Sequence, residues 1–393
     1  MYDVIIAGAG PAGASAAYFL GQAGRKVLVL EKEKLPRYKA CGGGVSLRFL
    51  QSQFPFAFEG VIEDRVCSMS YTYNNHTVTI PCKNGGLVMV MREHLDAYIL
   101  SQAGVEVKEN SAIRKVVERE DCVSVETAQG EVFEGLYLIG ADGANSVAAH
   151  AVGREKGRDA FPAIEAEVKA SPEVLARFAG NPTFIFKQIH WGYLWVFPKS
   201  DHLSVGVAAV NPGRGVLQAT LERVMNSYGI SLENVPLRGH LVPYSPFNAR
   251  ISTRRILLAG DAAGLVDPLS GEGIRPAILS GRLAAEAILA GHPESYSKKV
   301  KQKIGFEHAL SLFAAKIFYR LPGVCLRLGA PNPFTTRAIM NVMAGGSGGF
   351  TVMLLAILSL PVYLLVEGAA RLAGLLGGPP RREKFRQAVY QGS

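Results

Sequence analysis

Hydrophobic and polar positions change period several times along the chain, and the changes lay out its elements. Residues 2 to 31 pass from an apolar stretch through a glycine-rich turn and a small-residue segment ending near Gly24 to the apolar VLVLE. That order predicts a strand, a helix and a second strand in one βαβ unit. Residues 66 to 91 and 162 to 210 alternate aromatic and β-branched residues with polar ones, with turn residues between the runs. They predict half-buried antiparallel strands of one sheet contributed in two pieces. Helical spacing occupies 93 to 103 and 216 to 229 and returns from 273 onward, so the first domain is expected to be discontinuous, interrupted by the sheet. Between Arg337 and Glu367 no charge occurs for 29 residues, and the 17 residues from 350 to 366 are almost wholly apolar. That length is at the lower edge for a bilayer span, Pro361 interrupts it and GGSGG precedes it, so a buried or interfacial helical hairpin is the expectation.

With 393 residues, 48% apolar composition and 43 glycines, the chain can bury at least one large core, which excludes a disordered tail or a collagen-like repeat. The net charge of +9 and a mean hydropathy of +0.16 point to an anionic, apolar partner. A membrane surface fits both, and Arg381, Arg382, Lys384 and Arg386 could face its headgroups. No basic stripe interleaved with aromatics suggests nucleic acid. The five cysteines, Cys41, Cys67, Cys82, Cys122 and Cys325, are odd in number and lack CxxC spacing, so neither a disulfide framework nor a zinc cage or other metal site is expected. A reducing compartment follows, and MYDVIIAGAGPAG has no basic region ahead of its apolar run, as a secretory signal would.

Gly8, Gly10 and Gly13 of GAGPAG, with Ala12 among them, stand between predicted strand and predicted helix, the setting that gives GxGxxG its meaning. Gly8 makes the tight turn, Gly10 admits a pyrophosphate and Gly13 lets helix and strand pack, while the helix N-terminus offers N–H groups to the phosphates. Glu31, eighteen residues after Gly13, is placed to accept both hydrogens of a ribose diol. Far along the chain, RILLAGDAAGLVDPLSGEGIRPAILSG delivers Gly260 and Asp261 from a strand, then Gly271 and Gly273 at the start of another helix.

This pairing resembles the two FAD motifs of the flavin hydroxylase superfamily. The resemblance implies FAD, with Asp261 on the ribityl chain and the backbone of Gly273 and Ile274 at the pyrimidine edge. It also implies flavin-side Arg92 opening a helix in MREHLDAYIL, the motif around Asp142 and Gly143, and a strand whose backbone near Val116 meets adenine. KACGGGVS at 39 to 46 and GYLWVFP at 192 to 198 are similar to signatures of the geranylgeranyl reductase family, especially its digeranylgeranylglycerophospholipid reductases. That likeness implies Lys39, Ala40 and Gly42 at the cofactor and Cys41 facing a substrate cavity. At strand period two, Tyr193, Trp195 and Phe197 share one face, an aromatic wall that suits an isoprenoid held by buried area.

The expected fold class is α/β, α+β overall: a Rossmann-like FAD-binding domain of residues 1–64, 93–160 and 252–295, a substrate-binding antiparallel sheet of 65–92 and 161–251, and a helical, apolar region from 296 to 393. The expected activity is saturation of isolated double bonds in a polyprenyl lipid, by hydride from reduced FAD plus a proton, with Cys41, Tyr193 and Trp195 as candidate catalytic groups. Ferredoxin and NAD(P)H are both open as electron donors. The expected location is the cytoplasm, against the cytoplasmic face of a membrane. A flavin-dependent hydroxylase or halogenase, and a prenyl-binding carrier without redox chemistry, are the competing readings.

Overall fold

The computed structural model describes residues 1–329 except 75, 83–85, 155–158 and 246–248, and beyond these 332, 358–361, 363–366 and 368–369. Its first sheet centres on Tyr2–Ala7, which pairs in parallel with Val27–Leu30 on one side and Val132–Gly140 on the other. Glu106–Lys108 and Ile256–Leu258 extend it in parallel, and Val123–Thr127 and Ile113–Glu118 close one edge as an antiparallel hairpin. Val4, Ile5, Ile6, Leu28 and Leu30 are fully buried, each worth about 1.5–3 kcal/mol of transfer free energy. The helix Pro11–Gln22 packs on Ile274–Leu289, and small residues make the approach possible: a Cβ on Gly281 would lie 2.1 Å from the carbonyl oxygen of Ala12.

The second sheet runs in the order Arg238–Tyr244, Asp159–Val168, Leu203–Ala209, Gly192–Pro198, Thr183–Phe186, Ser68–Tyr73, His76–Pro81. The two separated stretches do meet in it, with two departures from expectation. Thr183–Phe186 and Ser68–Tyr73 pair in parallel, because the chain enters each from the same end. Leu87–Val90 leaves this sheet and pairs instead with Gly44–Ser46 and Ile62–Arg65. Glycine permits that junction: Gly43 accepts from the Val90 N–H at 2.9 Å, and a Cβ on Gly43 would lie 2.0 Å from the Val90 oxygen.

The central strands are also more than half buried. Every residue of Leu203–Ala209 is inside, because Pro172–Phe178 and Val216–Ser227 cover the outer face while the inner face turns to the first sheet. The expected helices lie at Arg92–Ser101, Val216–Ser227 and Ile274–Leu289. After them come Tyr296–Val300, a wider turn at Lys301–Gly305, and the helices Phe306–Arg320 and Pro322–Gly329. Among the described residues no helix is long and apolar enough to cross a membrane. Most of the apolar run at 350–366, and all of the basic tail at 379–386, lie outside the described residues.

Candidate active site

A cavity of about 1180 Å³ opens between the two large sheets. At one end stands the glycine turn. Gly8, at φ +95°, and Gly13 are glycines for packing: a Cβ would lie 2.4 Å from the Ala141 oxygen at Gly8 and 1.9 Å from the Gly8 oxygen at Gly13. Gly10 differs, because its Cβ position has only two neighbours, Nη2 of Arg37 at 3.8 Å and of Arg92 at 3.9 Å. The helix Pro11–Gln22 starts there with no side-chain cap. Open space at a helix N-terminus, faced by two guanidinium groups, suits a pyrophosphate.

Both guanidinium groups rest on fully buried Asp96, which accepts from Arg37 Nη1 at 3.1 Å and from Arg92 Nε and Nη2 at 2.9 Å each. Burial opposes the Arg92 charge, and Asp96 outweighs it, holding the guanidinium above its ordinary pKa. This arrangement also explains a cation in the first turn of a helix, where the dipole disfavours it. Glu31 is buried and accepts from Ala9 N at 2.8 Å and Glu33 N at 3.2 Å.

Asp261, Gly273 and Ile274 reach the same cavity from the far end of the chain. Asp261 Oδ2 lies 3.4 Å from His240 Nε2, and the Lys39 ammonium lies 3.0 Å from the same ring. Burial, with Arg92 nearby, pushes Lys39 down to about 8. Asp142 caps Val147–Ala151, accepting from Ser146 Oγ and from the N–H groups of Val147 and Ala148. Ala12, Ala40, Cys41 and Gly42 line the wall as well. Val116 does not: the wall is made by Ser111, Ala112 and Ile113, after which the strand runs outward to pair Val116 with Val125.

The second sheet forms the opposite wall, and its register sorts side chains into rows. Tyr193 pairs with Ala208 and Ala208 with Ala163; Trp195 pairs with Gly206 and Gly206 with Glu165; Phe197 pairs with Ser204 and Ser204 with Glu167. The three rings share the cavity face as the period-two reading expects, while Leu194 and Val196 enter the core behind. Phe184, paired with Trp195, extends the wall, its ring 5.1 Å from Phe197. Trp195 lies across Gly206, where a Cβ would be 2.1 Å from Cζ2 of the indole. Gly42 is small for a related reason: its Cβ would meet the Phe197 ring at 2.6 Å.

Sequence reasoning finds no activating partner for Cys41. In the fold its Sγ accepts from Gly43 N at 3.4 Å, with the charged groups of Arg92, Lys39 and Lys199 close by. Lys199 is buried, donates to the carbonyls of Gly42 at 2.8 Å and Val90 at 2.9 Å, and is pushed down by that burial. Tyr193 donates to the Ser270 carbonyl at 2.6 Å, and burial raises its hydroxyl pKa. Its proton is therefore committed to the loop.

Several wall residues were missed from sequence. Tyr38, Glu165, Arg238 and His240 make the cavity's polar flank, where Tyr38 donates to Glu165 at 2.6 Å. Burial pushes Glu165 up to about 7. An acid at an alternate position of the apolar strand Asp159–Val168 was the available signal. The far end is closed by Ser311, Ala314 and Phe318 of the helix Phe306–Arg320, with Phe318 edge-on to Phe186 at 5.1 Å.

Known proteins agree with this construction. Residues 1–52 match a profile described as an FAD binding domain. The geranylgeranyl diphosphate reductase of Rhodobacter capsulatus is 30% identical over 306 residues, 74% of this chain and 75% of its own. The digeranylgeranylglycerophospholipid reductase 2 of Methanothermobacter thermautotrophicus is 30% identical over 345 residues, 80% of this chain and 87% of its own. A geranylgeranyl bacteriochlorophyll reductase-like protein of Thermoplasma acidophilum superposes with a TM-score of 0.73 at 22% identity, covering 92% of this chain and 97% of the other. Glycine turn, second flavin motif and aromatic wall surround one cavity, and the chain belongs to the geranylgeranyl reductase family of FAD-dependent oxidoreductases.

Proposed function

We propose that the protein saturates isolated double bonds in the polyprenyl chain of a lipid. The observation that carries this reading is the junction of the glycine turn and an aromatic wall in one cavity of about 1180 Å³. FAD, when bound and reduced, supplies the hydride. Its pyrophosphate fits the open space over Gly10 between Arg37 and Arg92, its adenosine ribose fits Glu31, and Asp261 and the helix start at Gly273 fit the ribityl chain and ring. Lys39 and Arg92 add positive charge on that side, which favours an anionic reduced ring.

The remaining work falls to the substrate wall. An isolated alkene is not electrophilic, so a proton must arrive before or with the hydride, leaving positive charge on the more substituted carbon. Tyr193, Trp195, Phe197 and Phe184 hold the chain by buried area, and their ring faces stabilise that charge. Cys41 lies against the same space and is a lining or positioning group. The helix Phe306–Arg320 closes the end and excludes water. Exposed Phe313, Leu321 and Val324 support contact with a membrane that delivers the lipid.

Holoenzyme reduced with dithionite is incubated anaerobically with geranylgeranyl diphosphate or with a digeranylgeranylglycerophospholipid, and the lipids are weighed by mass spectrometry. A gain of one H2 per double bond is expected. No mass gain under these conditions, with hydroxylation or halogenation once oxygen is admitted, would refute the proposal.

A further inference from the structure

Glu165 sits on the cavity wall with 2% of its surface exposed, on a strand whose preceding cavity-wall residues on that face, Phe161 and Ala163, are apolar. A buried carboxyl is costly where an apolar side chain would serve. It is also the middle of a chain of ionisable groups. On the cavity side the Tyr38 hydroxyl donates to Glu165 Oε1 at 2.6 Å. On the other side Glu167 follows two positions along the same strand, and its carboxyl raises the proton affinity of Glu165. Glu167 Oε2 lies 3.1 Å from His202 Nε2, and His202 Nδ1 lies 2.6 Å from Oδ1 of Asp201, whose side chain is 72% exposed.

We propose that this chain is the proton path of the site, carrying protons from solvent at Asp201 and His202 over Glu167 and Glu165 to the Tyr38 hydroxyl and into the cavity. The proposal rests on the reductase reading. Each saturated bond takes one hydride, whose electron pair comes from reduced FAD, and one proton, which forms the second C–H bond. When Glu165 is protonated it becomes the donor across the same 2.6 Å contact, and the Tyr38 proton is freed to turn to the cavity; Tyr38 gives up that proton as Glu165 replaces it, Glu167 refills Glu165, and His202 refills Glu167 from solvent. No residue ends changed, and Tyr38 is never left as a phenolate, a form that its burial and Glu165 oppose.

The charges around Glu165 set its proton affinity. Burial raises it most, Glu167 raises it further, and the bond from Tyr38 and the Lys199 ammonium lower it, for a result of about 7. Arg238 is its register partner on the neighbouring strand and stacks on Tyr38 at 6.0 Å. Lys199 is itself shared with Glu167, Cys41 and Glu63. His202 is raised by Glu167 and Asp201 against burial. A group that exchanges its proton near neutral pH is suited to relay work.

The test compares wild type, Glu165→Gln and His202→Ala as reduced holoenzymes in single turnover with geranylgeranyl diphosphate, alongside infrared spectra of the oxidised proteins across pH. Glu165→Gln is expected to slow saturation by roughly 10²–10⁴-fold with FAD content unchanged. The wild-type rate is expected to fall as pH rises through about 7, the value of Glu165. His202→Ala is expected to be slow in buffers that carry no small acid and to recover with added imidazole, a response that a purely structural role does not produce. A protonated-carboxyl band that titrates in wild type and is missing in Glu165→Gln supports a protonated Glu165 independently of turnover. The path is overturned if Glu165→Gln keeps the wild-type rate and pH profile, if imidazole leaves His202→Ala slow, or if wild type lacks the band. Failure of wild type to saturate any prenyl substrate overturns the reductase reading instead, and the infrared result still decides whether the carboxyl pair holds a proton.

Discussion

Asp96 carries more of the flavin end of the site than any sequence motif suggests, and Asp96→Asn tests that. The substitution keeps the volume and removes the charge that Arg37 and Arg92 share through contacts of 2.9 to 3.1 Å. Asp96 is fully buried and the two guanidinium groups are nearly so, so water does not replace the lost partner. Breaking a buried ion pair this way costs about 3–5 kcal/mol, because the surviving charges stay desolvated. Spread over the unfolding entropy of 393 residues, that loss lowers Tm by roughly 4–6 °C if the chain unfolds as one unit. The assay is calorimetry with and without FAD. A pyrophosphate between the guanidinium groups would restore part of the missing counter-charge, so the Tm deficit is expected to shrink in the holoprotein. A variant with unchanged Tm in the absence of FAD, or with the same deficit in both forms, would refute the shared-carboxylate account.

Three further outcomes follow from the geometry. Gly206→Ala places a Cβ 2.1 Å from the Trp195 ring and 2.6 Å from the Ile164 oxygen, and is expected to destabilise by about 1–3 kcal/mol in urea titration. In a double-mutant cycle part of that cost disappears on Trp195→Ala, and strict additivity would mean the indole does not lie there. Tyr193→Phe removes a donor to Ser270, costs about 1 kcal/mol, and is expected to speed amide exchange in residues 267–271 with little loss of flavin. Glu165 titrates near 7 in the fold against 4.5 when unfolded, so its contribution is fully present below about pH 4.5 and is lost as pH rises through about 7. Glu165→Gln should therefore flatten the stability profile over that interval, which denaturation at several pH values measures.

What the sequence made legible was local. The glycine turn, Glu31, the helix starting at Ile274 and the shared face of Tyr193, Trp195 and Phe197 each follow from spacing within one element or across one turn. What it concealed depended on register between distant segments. Glu165 gains a role only when Gly206 stands between it and Trp195, and residues 165, 195 and 206 belong to three strands. Asp96 looks like an ordinary helix residue until Arg37 arrives from a loop 59 positions earlier. Cys41 has no visible partner until Arg92 and Lys199 are folded against it. The parallel pairing of Ser70 with Thr183 likewise needs a crossing of the chain that no period announces.

The same register explains why one sheet can serve both an apolar chain and a proton. Tyr71, Phe184, Trp195 and their neighbours fill the strands on one flank; Glu165, Glu167, Arg238 and His240 occupy the strands on the other. On this face the strand between them carries only Ser204, Gly206 and Ala208, of which Ala208 lines the cavity. Large side chains there would collide with the leaning rings, as the 2.1 Å approach of Trp195 to a Cβ at position 206 shows. A small-residue strand thus brings an apolar flank into contact with an ionisable one without a polar gap. Under the proposed reading, a double bond held by the rings would lie beside groups able to pass it a proton. That adjacency is what a non-electrophilic alkene requires, since its reduction stalls wherever hydride and proton are supplied in separate places.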